Sequence, residues 1–259
     1  MTPRSSKDQF NANAEKYAVS DVHRAGPSLP VLLALAQPVA SDQSLDVATG
    51  TGHTALAVAR FVAKTIGIDI APKMLEQARR LASEQGVGNC AFIEGSAEKM
   101  PLADGQFSLV TARHAPHHFH NVPRFLSEVR RVMAPRGRFV LADQISASAD
   151  VFEWVDYWER TRDPSHFVQR TVKQWREEMM QARLRWVEHR LVPYRLEFDW
   201  WVEAAGCSDS VVSALVEHAA QAPPPVRESL GLEFDRTGRV MAFQEPMLVI
   251  RLEHIPSLV

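Results

Sequence analysis

The sequence predicts an α/β fold, namely a Rossmann-like, doubly wound sheet of seven mostly parallel strands with an antiparallel last strand. Short apolar runs alternate with amphipathic helical segments from about residue 44 onwards. Continuous apolar runs of this kind are typical of parallel strands that are buried on both faces. A turn containing two glycines follows the first run, at the position where such sheets bind ligands.

Two helices are expected before the sheet begins. Phe10, Ala14 and Tyr17 recur at helical spacing, which predicts a short amphipathic helix. Segment 28–40 is predicted to form a second helix, with Pro30 in its first turn, where proline is tolerated.

Strands and helices then alternate along the central part of the chain. The predicted strands are 44–48, 64–69, 90–95, 107–113 and 137–143. The predicted helices are 54–63, 71–86 and 122–133. Pro72 and Gly86 stand near the start and the end of the second of these helices, as expected for helix boundaries.

The last part of the chain has a different character, because it contains all six tryptophans. Val151, Trp154, Val155 and Trp158 follow the spacing of one helical face, which we expect to pack on the core. The alternative is that some tryptophan rings line a substrate pocket. Closing strands are predicted at 184–192 and 245–253, with helices between them.

Composition limits the function classes. A chain of 259 residues can form one large α/β domain or two small ones. We predict one domain, with lid helices (1–39), a core (40–145) and cap helices with closing strands (146–259). The formal net charge of −2 gives no electrostatic case for nucleic acid. No apolar stretch reaches the roughly 18 residues of a membrane helix, and the N-terminus lacks a signal-peptide core. Two cysteines without motif spacing indicate thiols, so we expect a cytoplasmic protein.

The turn in LDVATGTGHTALAVA (45–59) indicates a nucleotide-containing ligand. Gly50, Gly52 and Ala55 match the pattern G-x-G-x-x-G/A between a strand and a helix. Asp69 ends the next strand, close to the offset of about 20 residues expected for a carboxylate that binds ribose hydroxyls. The turn lacks a G-K-[ST] ending, which excludes a P-loop. A dinucleotide and S-adenosylmethionine remain.

Three details favour S-adenosylmethionine. Asp46 lies just before the turn, where a carboxylate would repel a pyrophosphate but suits the ammonium group of a methionine. Ser96, Ala97 and Glu98 follow the third strand and can contact an adenine ring. A long N-terminal segment precedes the first strand, as suits a lid over a small cofactor.

Four stretches together resemble the class I S-adenosylmethionine-dependent methyltransferases of type 11, and most closely the subgroup with the quinone-biosynthesis enzymes. They are LDVATGTG, GIDIAPKMLEQA, EGSAEKMPLADGQFSLV and HAPHHFHNVPRFLSEVRRVMAPRGRFVLAD, and they cover residues 44–145. FNANAEKY resembles the lid helix of the subgroup. The resemblance implies S-adenosylmethionine as the cofactor and a small-molecule methyl acceptor as the partner. A homodimer is compatible with the resemblance.

The resemblance also implies a set of cofactor-binding residues. Those implied to line the methionine part are Asp46, Ala48, Gly50 and Gly52. Those implied to contact the nucleoside are Asp69 at both ribose hydroxyls, Ile70 on the adenine ring, and Ser96 and Ala97 at the adenine edge. Those implied to lie near the methyl group or in the lid are Arg113, through its backbone, and Tyr17 and His23.

The sequence departs from the family pattern at two positions. Ala48 stands where the family usually has glycine, and a small residue should be tolerated there. His114 follows Arg113 where the quinone C-methyltransferases typically have asparagine, which argues against a quinone precursor as the acceptor.

Four histidines crowd the loop after the fourth strand: His114, His117, His118 and His120. No cysteine or carboxylate lies at ligand spacing within this loop and Pro116 limits convergence of the rings, so we predict no metal site. His118 is the candidate catalytic residue, because an imidazole with a pKa near neutrality can take a proton from the acceptor. We expect His117 and His118 to point apart. The alternative is that these rings pack structurally or face solvent.

The leading hypothesis is SN2 transfer of a methyl group to a small, partly apolar acceptor. The acceptor pocket is expected between the N-terminal helix and the tryptophan-rich region. The alternatives are an NAD(P)-dependent oxidoreductase and a non-catalytic, cofactor-binding protein with a methyltransferase-like fold.

Overall fold

The computed structural model describes residues 5–255 of the chain. Three helices precede the sheet: α1 (Ser6–Val19), α2 (Asp21–Ala25) and α3 (Ser28–Ala36). Helix α3 ends four residues earlier than predicted, because Gln37 adopts a left-handed conformation with φ 46°. Gln37 precedes Pro38, and the right-handed helical conformation is disfavoured for a residue that precedes a proline.

The predicted alternation of strands and helices forms the central sheet. Its first five strands are β1 (Gln43–Val47), β2 (Lys64–Asp69), β3 (Cys90–Glu94), β4 (Phe107–Arg113) and β5 (Met133–Gln144). The helices between them are α4 (His53–Ala59), α5 (Pro72–Glu84) and α6 (Val122–Val132). A single 3₁₀ turn, Pro116–His118, follows β4.

The remaining part of the chain completes this sheet and covers it. Its helices are α7 (Ala149–Arg162), α8 (Val172–Gln181), α9 (Phe198–Ala205), α10 (Asp209–Ala220) and α11 (Pro224–Leu230). Its strands are β6 (Leu184–Val192), β7 (Arg195–Glu197), β8 (Glu233–Phe234), β9 (Val240–Gln244) and β10 (Met247–His254).

The seven strands of the main sheet have the order β3-β2-β1-β4-β5-β10-β6. Strand β10 is antiparallel to both of its neighbours, and the pairs among β1 to β5 are parallel. The predicted doubly wound, mostly parallel sheet is therefore confirmed. The order reverses between β1 and β4, and ligands of such sheets bind beyond the carboxyl ends of the strands at this point.

A second, antiparallel sheet of order β7-β9-β8 was not predicted. The sequence indicated only helices between the closing strands, and that expectation is wrong. Its strands are two to five residues long, and β7 pairs with a strand that lies far from it along the chain. Their hydrophobic patterns are therefore too short to be distinguished from those of loops.

Two apolar cores lie on opposite faces of the main sheet. Leu109 and Val110 are neighbours on β4 and both are fully buried, but they contribute to different cores. The predicted apolar face of α7 packs in the core as expected, with Val151, Val155 and Trp158 buried. None of the helices within residues 5–255 is both long enough and apolar enough to cross a membrane.

Candidate functional site

A large cavity, called the main cavity below, opens at the carboxyl ends of β1, β2 and β4. The predicted site residues that line it are Tyr17, His23, Ala48, Gly50, Asp69, Ile70, Ser96, Ala97, Arg113 and His118. The structure therefore brings ten of the twelve predicted residues to one space. The other two, Asp46 and Gly52, lie behind its wall.

The β1–α4 turn places its backbone directly against the main cavity. Gly50 has φ 54°, and a Cβ added to it would meet no atom within 4 Å. Gly52 has φ 85° and faces inward. A Cβ on Gly52 would come within 3.0 Å of the Cβ of Ala78 and 3.1 Å of the ring of Phe92. Gly50 thus opens the turn to a ligand, and Gly52 lets α4 pack on α5 and β3.

Ala48 occupies a left-handed conformation with φ 52°, which explains why the family usually has glycine there. We expect Ala48→Gly to raise the free energy of unfolding by roughly 0.5–1 kcal/mol, because relief of backbone strain exceeds the added entropy of the unfolded chain. Urea unfolding without cofactor measures this. Ala55→Gly, in the buried part of α4, should have the opposite sign. A less stable Ala48→Gly variant would contradict this explanation.

The Asp69 carboxylate is fixed at the cavity wall by two backbone donors. Its Oδ2 accepts a hydrogen bond from the Gly50 N–H at 2.8 Å, and its Oδ1 accepts one from the Ala71 N–H at 2.9 Å. Burial raises the pKa of Asp69, and these backbone hydrogen bonds partly oppose that rise. The carboxylate therefore joins the ends of β1 and β2 at one point.

The Asp46 carboxylate lies beneath the same turn. It accepts hydrogen bonds from the hydroxyl of Thr49 at 2.6 Å and from that of Thr111 at 2.7 Å. Its side chain is buried, and this burial raises its pKa to about 6. The predicted contact with a methionine ammonium group stays a prediction.

The N-terminal helices cover the main cavity as a lid. The Phe10 and Tyr17 rings of α1 meet at 5.7 Å between centroids, and the Tyr17 ring lies 4.7 Å from that of His23 on α2. Sequence reasoning placed Phe10 on this helix but missed it as a lining residue. Its helical spacing with Tyr17 was the available signal.

Arg113 connects this lid to the sheet with its side chain, and the placement of its backbone near the methyl group stays a prediction. Its guanidinium donates to the hydroxyl of Thr54 at 2.9 Å, to that of Ser28 at 3.3 Å and to the carbonyl of His23. One buried cation thus ties β4 to α2, α3 and α4.

The loop after β4 holds its histidines differently from the prediction. The rings of His117 and His118 do not point apart, because their centroids are 4.2 Å from each other. Consecutive side chains in a 3₁₀ turn diverge by about 120°, less than in a strand, so both rings can turn to the same side. Burial and the neighbouring His117 lower the pKa of His118 to about 3, which is not the near-neutral value expected.

His114 also has a left-handed backbone, with φ 54°. Asparagine and histidine are both enriched in this conformation, so the same loop shape can hold either residue. Its Nε2 is buried without a hydrogen-bond partner among the described residues.

His117 makes a contact that the sequence did not indicate. Its Nδ1 lies 2.7 Å from the Oδ1 of Asp143, near the end of β5, and both side chains are buried. No pattern signals this pair, because 26 residues separate its members along the chain. Within residues 5–255, no group of three or more histidine, cysteine or acidic side chains is placed to hold a metal ion.

A second cavity adjoins the main one. Both are lined by Phe10, Tyr17, His23, His114 and His118. The second cavity is also lined by His117, Gln144, Arg162, Asp163, Tyr194, Trp200, Trp201 and Glu245. Two tryptophans of the cap thus contribute to a pocket, whereas those of α7 do not line either cavity.

Comparisons with known proteins agree with this arrangement. A family model described as a methyltransferase domain matches residues 45–141. The chain is 31% identical to an uncharacterized methyltransferase, YcgJ of Bacillus subtilis, over 90% of this chain and 93% of that protein. The YcgJ crystal structure has a TM-score of 0.83 at 29% identity and covers 89% of this chain and 99% of its own.

A demethylmenaquinone methyltransferase of Thermus thermophilus is 39% identical over 42% of this chain and 50% of its own length. This match covers less than half of the chain. The match to YcgJ extends over lid, core and cap. The chain therefore belongs to the class I S-adenosylmethionine-dependent methyltransferases of type 11.

Proposed function

We propose that the main cavity binds S-adenosylmethionine between the β1–α4 turn and the loop after β3. The methionine part lies along Ala48 and Gly50, the ribose at Asp69, and the adenine beside Ile70, Ser96 and Ala97. The observation that carries this proposal is that Asp69, the turn and the β3 loop all line one cavity.

The hydrogen-bond acceptor capacity of Asp69 fits a ribose. A carboxylate offers about four acceptor sites, and the two backbone N–H groups use two of them. The remaining capacity suits two vicinal hydroxyls. When bound, the sulfonium of the cofactor supplies an activated methyl group. The role of the chain is to align donor and acceptor and to exclude water.

We place the methyl acceptor in the second cavity. This cavity lies between α1 and the tryptophans of α9, where the sequence predicted an acceptor pocket. Its shared wall with the main cavity consists of lid residues and residues of the loop after β4, and includes none of the proposed nucleoside contacts. The aromatic rings of Tyr194, Trp200 and Trp201 favour a small, partly apolar acceptor. In this proposal residues 146–255 form a cap, and the cap and the core belong to one domain.

A cytoplasmic location is part of this proposal. Both cysteines, Cys90 and Cys207, are free thiols, as is typical of reducing compartments.

Asp69→Ala should weaken binding of S-adenosylhomocysteine by about 1–3 kcal/mol, because the ribose hydroxyls lose a charged acceptor. Isothermal titration calorimetry measures this, with NADH as the comparison ligand. The matched control is Asp104→Ala, since Asp104 is an exposed carboxylate that lines neither cavity. Equal affinity of Asp69→Ala and wild type would contradict the ribose role. Binding of NADH instead of S-adenosylhomocysteine would overturn the proposed function.

A further inference from the structure

We propose that His117, held by Asp143, is the general base for an acceptor that carries an aromatic hydroxyl group in the second cavity. This inference rests on the proposed placement of the cofactor in the main cavity. It replaces the candidate base His118 with its neighbour.

The first step of the argument is the geometry of the pair. The 2.7 Å contact from His117 Nδ1 to Asp143 Oδ1 requires a proton between the two atoms. When Nδ1 carries that proton, Nε2 presents a lone pair, and the carboxylate stabilises the imidazolium that forms after proton uptake. His118 lacks this arrangement, because its Nδ1 faces the carbonyl of Ser165 at 3.0 Å and not a carboxylate.

The second step is that the His117 ring is held firmly in place. The backbone carbonyl of His117 accepts hydrogen bonds from the N–H groups of Phe167 and Val168 at 2.9 Å and 3.0 Å. Its ring stacks on that of His166 at 5.5 Å and meets that of His118 at 4.2 Å. A base held in this way reaches an acceptor without first losing conformational freedom.

The third step is the position of the ring. His117 lines the second cavity beside Tyr194, Trp200 and Trp201. That cavity shares His23 and His114 with the main cavity, next to Arg113, where the family resemblance places the transferred methyl group. A flat aromatic acceptor between these rings would bring its hydroxyl between the base and the methyl donor.

The fourth step is the charge of the second cavity, which disfavours anionic acceptors. Two carboxylates, Asp163 and Glu245, line it together with one guanidinium, Arg162. This guanidinium is already engaged, because its Nε donates to the Trp201 carbonyl at 3.0 Å and it lies 4.8 Å over the Trp201 ring. It also lies 3.6 Å from Glu159. A carboxylate or phosphate in this cavity would therefore compete with Trp201 and Glu159 for Arg162 and lie close to two carboxyl groups, whereas a neutral hydroxyl needs no cation.

The chemical step balances in atoms and charge. A lone pair of the acceptor oxygen forms the C–O bond, and the S–CH₃ bond breaks with its electron pair staying on sulfur. The hydroxyl proton passes to Nε2 of His117. The positive charge of the sulfonium is thereby replaced by that of the imidazolium, which faces Asp143. The products are a methyl ether and S-adenosylhomocysteine.

The test uses 4-nitrophenol, whose phenolate absorbs at a longer wavelength than the phenol, with the protein saturated in S-adenosylhomocysteine. At a pH where free 4-nitrophenol is mostly protonated, we expect the wild type to bind it and to raise its phenolate fraction. His117→Gln keeps a donor for Asp143 but cannot take the proton, so the bound phenolate signal should fall by roughly tenfold. Asp143 is a positioning residue that acts through His117, so Asp143→Asn should lower the same signal.

His189→Gln is the matched control, because this exposed histidine on β6 lines neither cavity, and it should match the wild type. 4-Nitroanisole has no hydroxyl proton, so its affinity should be the same in the wild type and His117→Gln. Cofactor calorimetry shows that each variant remains folded.

Four results would overturn the inference. They are an unchanged phenolate signal in His117→Gln, tighter binding of 4-nitrobenzoate than of 4-nitrophenol, tighter binding of benzylamine, and no binding of 4-nitrophenol at millimolar concentration. If S-adenosylhomocysteine still binds, each of these results contradicts the role of His117 and leaves the proposed cofactor site unaffected. Loss of that binding in the wild type would overturn the proposed function as well.

Discussion

Replacement of Arg113 by methionine is expected to lower the free energy of unfolding by about 3–5 kcal/mol, although methionine nearly matches the length of the side chain. The guanidinium is almost fully buried and donates to Thr54, Ser28 and the carbonyl of His23. Arg113→Met leaves these acceptors without a donor inside the protein, and each unsatisfied group costs about 1–3 kcal/mol. It also removes the positive charge near Asp46.

Urea unfolding without cofactor measures this loss, and Arg80→Met is the matched control. Arg80 forms an exposed i, i+4 pair with Glu84 on α5, and such pairs contribute less than about 1 kcal/mol. Because Arg113 holds α2 against the sheet, Arg113→Met should also weaken binding of S-adenosylhomocysteine through the lid. A loss of stability no larger than that of Arg80→Met would show that the buried bonds do not hold the lid.

Arg113 illustrates where prediction from sequence ends. The end of β4 at this residue was predicted correctly, since the apolar run 107–112 and the turn before it are local signals. The partners of its guanidinium lie 59, 85 and 90 residues away, on elements whose relative placement depends on tertiary packing. The sequence therefore located the residue at the cavity and missed the contacts of its side chain.

The same limit separates the two halves of the site. Asp69, Gly50 and Ser96 follow strands of a regular sheet, so strand order alone brings them to one edge. His117 follows β4 and Asp143 lies near the end of the neighbouring strand β5, but their contact depends on the direction of a ring in a single 3₁₀ turn. The proposed cofactor half of the site was thus accessible from spacing and resemblance, whereas the proposed acceptor half required side-chain positions.

Asp46→Asn is expected to change how stability depends on pH. Burial raises the pKa of Asp46 to about 6 in the folded protein, from an ordinary value of 3.8. Between these two values the folded state binds more protons than the unfolded state, so the stability contributed by Asp46 falls as the pH rises. The loss is complete above about pH 7 and amounts to about 3 kcal/mol. Asparagine can keep both threonine contacts and has no proton to lose, so this fall should be absent in Asp46→Asn.

Urea unfolding of both proteins between about pH 4 and pH 7.5 measures the difference, and Asp42→Asn provides a control of opposite sign. Burial would raise the pKa of Asp42, but hydrogen bonds from Arg138 and Ser108 outweigh it and hold the pKa below its usual value. Asp42→Asn should therefore lose stability at neutral pH and recover relative to the wild type as the pH falls. Parallel pH curves for wild type and Asp46→Asn would mean that the buried carboxyl ionises as readily as in the unfolded chain. In that case its charge would already be available to a cofactor ammonium group, without help from binding.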